Sequence, residues 1–152
     1  MKKIEIRKCE LKDLEQIFFL ENSVFKHEGY NYLTLRQFYD VCHVLFKVAI
    51  IAESEVVGYT IAFPKVNTSD AWVLVLMVVP NYQRQGIGKE LTSHILTELK
   101  EIGIQKVLLT VSPENKRAMN LYTSIGFEVL SNESNYFGEG SSRNIMQKVL
   151  LS

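Results

Sequence analysis

The unbroken apolar run at residues 71–79, closed by Pro80, constrains this chain more than any other segment. It is too short to cross a bilayer, which takes about 20 residues. Rich in valine and leucine and lacking polar alternation, it reads as a strand buried on both faces. Proline has no N–H to give to a sheet ladder, so the strand has to end at Pro80.

The flanking sequence supplies alternating elements. Ile4 to Arg7 alternates at period two and predicts a first strand. Leu14, Ile17, Phe18 and Phe25 recur at helical spacing, which starts a helix near Asp13. Residues 29–33 read as a loop. Thr34 and Gln37 carry a capping-box signal for a second helix, with Leu35, Phe38, Tyr39 and Cys42 facing inward. Residues 47–52 and 56–63 are strands, joined as a hairpin by the polar link Glu53-Ser54-Glu55. Beyond the apolar run, residues 86–102 form an amphipathic helix with Ile87, Leu91, Ile95, Leu99 and Ile102 on one stripe, ended by Gly103. Residues 106–111 are a strand. Asn115 caps a helix carrying Ala118, Leu121, Tyr122 and Ile125, and Gly126 ends it. Residues 127–130 and 145–151 close the chain as strands. The order βααβββαβαββ predicts an α/β fold, largely antiparallel at its start, with a crossover helix in the middle.

At 152 residues the chain is expected to form a single domain over residues 1–152. Lys plus Arg number 17 and Asp plus Glu 17, so no cationic surplus marks nucleic acid as the main partner. Met1-Lys2-Lys3 runs directly into a strand pattern without an apolar signal core, and no segment is long enough to span a membrane. Cys9 and Cys42 are too far apart for a paired motif and are expected to be reduced thiols, which places the chain in the cytoplasm. His27, His43 and His94 lack ligand spacing, so no metal is expected. The chain is expected to act as a monomer or a homodimer.

The chemistry concentrates in Val79-Pro80-Asn81-Tyr82-Gln83-Arg84-Gln85-Gly86-Ile87-Gly88-Lys89. A buried strand ends, a short loop follows, and two glycines stand where a helix begins. Helix N-termini expose unpaired N–H groups and the positive end of the helix dipole. A glycine there lets a phosphate approach the backbone. The phosphate loop of nucleotide triphosphatases needs four residues between its glycines, and here there is one. The dinucleotide fingerprint needs a third glycine where Leu91 stands.

Gln83-Arg84-Gln85-Gly86-Ile87-Gly88 resembles the Gln/Arg-x-x-Gly-x-Gly/Ala motif of the GNAT family of N-acetyltransferases. Asn115-Lys116-Arg117-Ala118-Met119-Asn120-Leu121-Tyr122, followed by Gly126-Phe127, is similar to that family's Asn-x-x-Ala-x-x-Leu-Tyr-x-x-x-Gly-Phe. The resemblance implies a GNAT fold: a mixed, mostly antiparallel, splayed sheet flanked by helices, with acetyl-CoA bound as co-substrate. The amides of Arg84, Gln85, Gly86, Ile87, Gly88 and Lys89 would hold its pyrophosphate. Leu76, Met77 and Val78 would pair with the pantetheine arm, and the Val78 N–H would face the thioester oxygen. Asn115 would hydrogen-bond the same arm. Tyr122 would be the catalytic acid that protonates the departing thiolate, since a phenol keeps its proton at neutral pH.

Within the family the chain resembles the branch that acetylates the N-terminal alanine of a ribosomal protein, which Asn135-Tyr136-Phe137-Gly138 also matches. That branch carries a glutamate base where this chain has Thr110, and a threonine hydroxyl is no base at pH 7. Glu21 and Glu28 are the substitutes the sequence offers, though each reads more readily as a solvated surface charge. The acceptor is an amine, either a protein or peptide N-terminus or a small molecule. The loop at residues 25–33, with Tyr30, Tyr32 and His27, and the pair Tyr136-Phe137 would flank it. The contrasting reading is a module that binds acetyl-CoA without turnover.

Overall fold

A computed structural model of the chain describes residues 3–150. The strands are β1 (Glu5–Lys8), β2 (Phe46–Ile51), β3 (Glu55–Pro64), β4 (Asp70–Val78), β5 (Lys106–Val111), β6 (Glu128–Glu133) and β7 (Arg143–Val149). The helices are α1 (Leu14–Phe25), α2 (Tyr32–Cys42), α3 (Ile87–Glu101) and α4 (Lys116–Ile125). The strands form one seven-stranded sheet in the order β1-β2-β3-β4-β5-β7-β6. β1–β2, β2–β3, β5–β7 and β6–β7 pair antiparallel, whereas β4–β5 pair parallel across the α3 crossover. The expected element order is therefore found in full, and the sheet is open and mostly antiparallel as expected. Leu151, which the sequence assigns to the last strand, lies outside the described residues.

The chain divides into two compact units. The first comprises the described residues up to Ala62 together with Val75–Ile95. The second comprises Phe63–Leu74 and the described residues from Leu96 onward.

In the first unit the β2–β3 hairpin turns through Ala52 and Glu53, both at positive φ (49° and 69°), with the Ser54 N–H donating to the Ile51 carbonyl at 3.2 Å. Two successive left-handed residues match the twist of a hairpin, but glycine or asparagine usually fills them. Gln16 of α1 braces this turn. Its amide donates to the Ser54 carbonyl (2.9 Å) and its oxygen accepts from the Val56 N–H (3.0 Å). Ala49, Ile51, Val57, Ile87 and Leu91 form a buried cluster, with Leu76, Val78, Val79 and Tyr82 packed on it. Ile51, Val57, Ile87 and Leu91 each contribute about 1.5–3 kcal/mol by leaving water.

In the second unit β4 begins beside β5, with Asp70, Ala71 and Trp72 in register with Lys106, Val107 and Leu108. β6 ends the sheet with all of its residues exposed. Gly126 closes α4 at φ 110°. The Phe127 N–H reaches the Tyr122 carbonyl (2.9 Å) and the Gly126 N–H the Thr123 carbonyl (3.0 Å), the pair of bonds of a Schellman motif.

Four local expectations are corrected. β4 is not buried on both faces: Ala71, Val73 and Met77 are buried, while Trp72, Leu74, Leu76 and Val78 are half-buried. The cap of α2 is Asn31, whose side chain accepts from the Thr34 N–H at 2.8 Å, so the helix starts before Thr34. Phe25 is exposed at the end of α1, because the inward stripe there runs through Leu14, Ile17 and Glu21. Ile102 is exposed past the end of α3, and Ile104 takes the buried place after Gly103.

Candidate active site

The first unit holds the end of β4 and the turn that follows it. A 3-10 turn over Pro80–Tyr82 leads out of the strand. Gln83 then folds back, and its amide donates to the Val78 carbonyl at 2.9 Å. The glutamine of the motif thus ties the turn to the strand that precedes it. Arg84 follows at φ 65° and Gly86 at φ 84°. Two left-handed residues two positions apart bend the chain sharply just before the helix. No atom lies within 4 Å of where a Gly86 Cβ would stand, so the glycine serves the backbone angle and leaves an open approach.

The Glu90 N–H is bonded to the Gly86 carbonyl at 3.0 Å. Among the described residues, the main-chain N–H groups of Arg84, Gln85, Gly86, Ile87, Gly88 and Lys89 meet no protein acceptor. These are the donors that the start of a helix leaves open. Ile87 is buried in the core cluster and anchors this end of α3, whereas Arg84, Gln85 and Lys89 are exposed. Gly58 of β3 lets the backbone come close: a Cβ there would stand 2.8 Å from the Met77 carbonyl. Leu76, Met77 and Val78 are thus held in one body with the turn by the core cluster, Gly58 and Gln83.

The second unit holds Asn115, the N-cap of α4, and Tyr122 within that helix. Asn115 caps the helix by accepting the Ala118 N–H at 3.1 Å. That bond uses its carbonyl oxygen and leaves its NH₂ group as a donor. Tyr122, seven residues on, is about 10 Å along the axis. Its side chain is buried against Phe127. Burial pushes its phenol above the ordinary tyrosine range, so the proton is held firmly at neutral pH. Thr110 is half-buried on β5, in register with Ile145. Tyr136 is half-buried and Phe137 exposed; their rings meet edge-on at 4.7 Å, and the Arg143 guanidinium lies 5.2 Å from the Phe137 ring.

Glu21 is no solvated charge. It is buried, at 1% exposure, and the Tyr59 hydroxyl and the Tyr30 N–H both donate to its carboxylate. Desolvation outweighs these two bonds and raises its proton affinity. A signal for this was present: Leu14, Ile17 and Glu21 share one helix face, so a carboxylate on the apolar stripe had to find partners. Glu28, His27 and His94 are exposed. Among the described residues no three His, Cys, Asp or Glu side chains gather as metal ligands would, and no helix is long and apolar enough to cross a membrane.

Comparison with known proteins bears on the same features. The ribosomal protein bS18-alanine N-acetyltransferase of Escherichia coli (strain K12) is 36% identical over 76 residues, 50% of this chain and 51% of that protein. The chain thus spans about half the length of this curated relative. An N-alpha-acetyltransferase of Sulfurisphaera tokodaii is 27% identical over 158 residues, covering 95% of this chain and 92% of the relative. The solved structure of the NatC complex bound to Gag peptide and CoA contains a chain of the same fold, with a TM-score of 0.88 at 19% identity, over 98% of this chain and 99% of that one. The acetyltransferase (GNAT) family pattern itself matches residues 10–127, taking in the strand end, the glycine turn and the whole motif from Asn115 to Phe127. By this match, and by the two motifs it encloses, the chain belongs to the acetyltransferase (GNAT) family.

Proposed function

We propose that this chain is an N-acetyltransferase that moves the acetyl group of acetyl-CoA onto a primary amine, with the α-amine of a peptide or protein N-terminus as the preferred acceptor. The observation that carries this reading is the row of unpartnered amides at residues 84–89, set by the left-handed Arg84 and Gly86 at the start of α3. Two linked phosphates are the anion such a row fits, with Arg84 and Lys89 adding positive charge.

Leu76, Met77 and Val78 offer main-chain groups to the pantetheine arm, and the Asn115 NH₂ group offers a further donor. The amine nitrogen attacks the thioester carbonyl, whose oxygen gains charge and is met by the Val78 N–H. One such donor is worth about 2.7–4 kcal/mol in the transition state. The carbon–sulfur bond then breaks, the thiolate takes the Tyr122 proton, and the new amide sheds its proton to water. The phenol is afterwards reprotonated from solvent. The family match runs through both units, which supports reading residues 10–127 as one family domain.

Thr110 departs from the branch's glutamate base, so the acceptor has to be an amine that needs little help to lose its proton. Deprotonating a lysine amine at pH 7 costs about 4.6 kcal/mol, an α-amine only about 1. A site without a carboxylate at residue 110 is better matched to the acceptor that needs less help. The names of the Escherichia coli and Sulfurisphaera tokodaii relatives, and the peptide and CoA bound in the NatC structure, support the same choice.

A thiol-release assay with acetyl-CoA tests this across peptides of varied first residue, free amino acids, polyamines and aminoglycosides. Steady CoA release with peptides above the other amines is the expected result. Tight acetyl-CoA binding without turnover on any amine would make the chain a binding module instead.

A further inference from the structure

Glu21 has partners on two sides. The Tyr59 hydroxyl of β3 donates to Oε1, and the Tyr30 N–H donates to Oε2 at 2.9 Å. The chain joining α1 to α2 passes very close here. A Cβ added to Gly29 would stand 2.7 Å from the Glu21 carbonyl oxygen and 3.2 Å from Oε2. The Tyr30 ring then packs edge-on against Phe38 of α2, with centroids 5.2 Å apart. One buried carboxylate therefore fastens the link between the two helices from within, and only a glycine fits beside it.

We propose that Glu21 is a positioning residue for acceptor choice: by holding the Tyr30 amide against Tyr59 it fixes the α1–α2 link, and that link selects the incoming amine. The proposal rests on the acetyltransferase reading above and on the family resemblance, which implies that residues 25–33 flank the acceptor. Glu21 itself takes no part in bond making. Its effect passes through the position of Tyr30.

The test compares wild type with Glu21→Gln and Tyr59→Phe, using acetyl-CoA and two peptides, one with a small and one with a large first residue. Both variants should raise the peptide KM about fivefold or more and change the ratio of kcat/KM between the two peptides by a similar factor, while the acetyl-CoA KM stays within about twofold. That ratio does not depend on how much protein is folded, so a merely structural role leaves it unmoved. Tyr59→Phe keeps the carboxylate and the ring, which provides a well-folded variant if Glu21→Gln is unstable. Separately, hydrogen exchange at the Tyr30 amide should be slow in wild type and about tenfold or more faster in Glu21→Ala. An unchanged peptide ratio in folded variants overturns the proposal. A wild-type chain that acetylates no amine overturns the functional reading and this role in acceptor choice with it, while the exchange measurement still reports whether Glu21 fastens the link.

Discussion

Tyr122 and Phe127 are joined twice: the Phe127 amide donates to the Tyr122 carbonyl at 2.9 Å, and their rings meet edge-on with centroids 5.6 Å apart. Gly126 makes both contacts possible by taking φ 110° between them. The spacing Leu-Tyr-x-x-x-Gly-Phe is thus the spacing of a helix stop whose hydrophobic contact includes the proposed acid.

Tyr122→Phe removes the hydroxyl and keeps the ring. It should lower kcat about 10²-fold, within the range for acid catalysis, with little change in melting temperature. Steady-state kinetics beside a thermal melt checks this, and an unchanged kcat would remove Tyr122 from its role.

Gly86→Ala and Gly88→Glu should weaken binding of CoA by different routes. Alanine at residue 86 meets no steric obstacle but strains a backbone at φ 84°, at a cost of about 1–2 kcal/mol. Glutamate at residue 88 brings negative charge to the proposed phosphate site. Calorimetric titration with CoA reads both, and normal affinity in the glutamate variant would contradict the phosphate placement.

The hairpin turn offers a prediction that needs no activity. Glu53→Gly relieves a left-handed non-glycine residue and should stabilise the protein by about 1 kcal/mol. Gln16→Leu leaves the Val56 N–H without its partner and should destabilise it by about 1–3 kcal/mol. Urea denaturation of both variants gives the comparison.

Glu21 predicts a pH dependence. Its carboxyl holds a proton more tightly in the folded protein than at the ordinary value of 4.5, chiefly because it is desolvated. The stability it contributes is present below about pH 4.5 and is lost as pH rises through its raised folded value. Glutamine cannot ionise, so the stability of wild type relative to Glu21→Gln should fall as pH rises from 4 to 8, by at most about 1.4 kcal/mol per pH unit. A difference that does not vary with pH would show that Glu21 titrates normally.

Legibility followed the range of the forces involved. β5 was readable to the residue and the Asn115 cap to the atom type, because strand periodicity and cap chemistry act over a few neighbours. The start of α2 was misread because Asn31 and Thr34 are both good caps three residues apart, and tertiary context decides between them. Glu21 was read as surface because Tyr59, its partner, lies 38 residues away on another element. Of the candidate site, the glycine turn at the start of α3 could be read from its residues alone. The role of Gln83 as a tether to Val78 could not, since a side-chain bond to a strand carbonyl leaves no periodic trace.

Arg84 occupies a left-handed conformation that glycine would adopt more easily. A guanidinium is kept where the backbone alone would be content without a side chain. Arg84→Gly is therefore a change in which resistance to heat and grip on the proposed phosphates should move in opposite directions, and a variant selected only for thermal robustness would drift toward weaker binding of CoA.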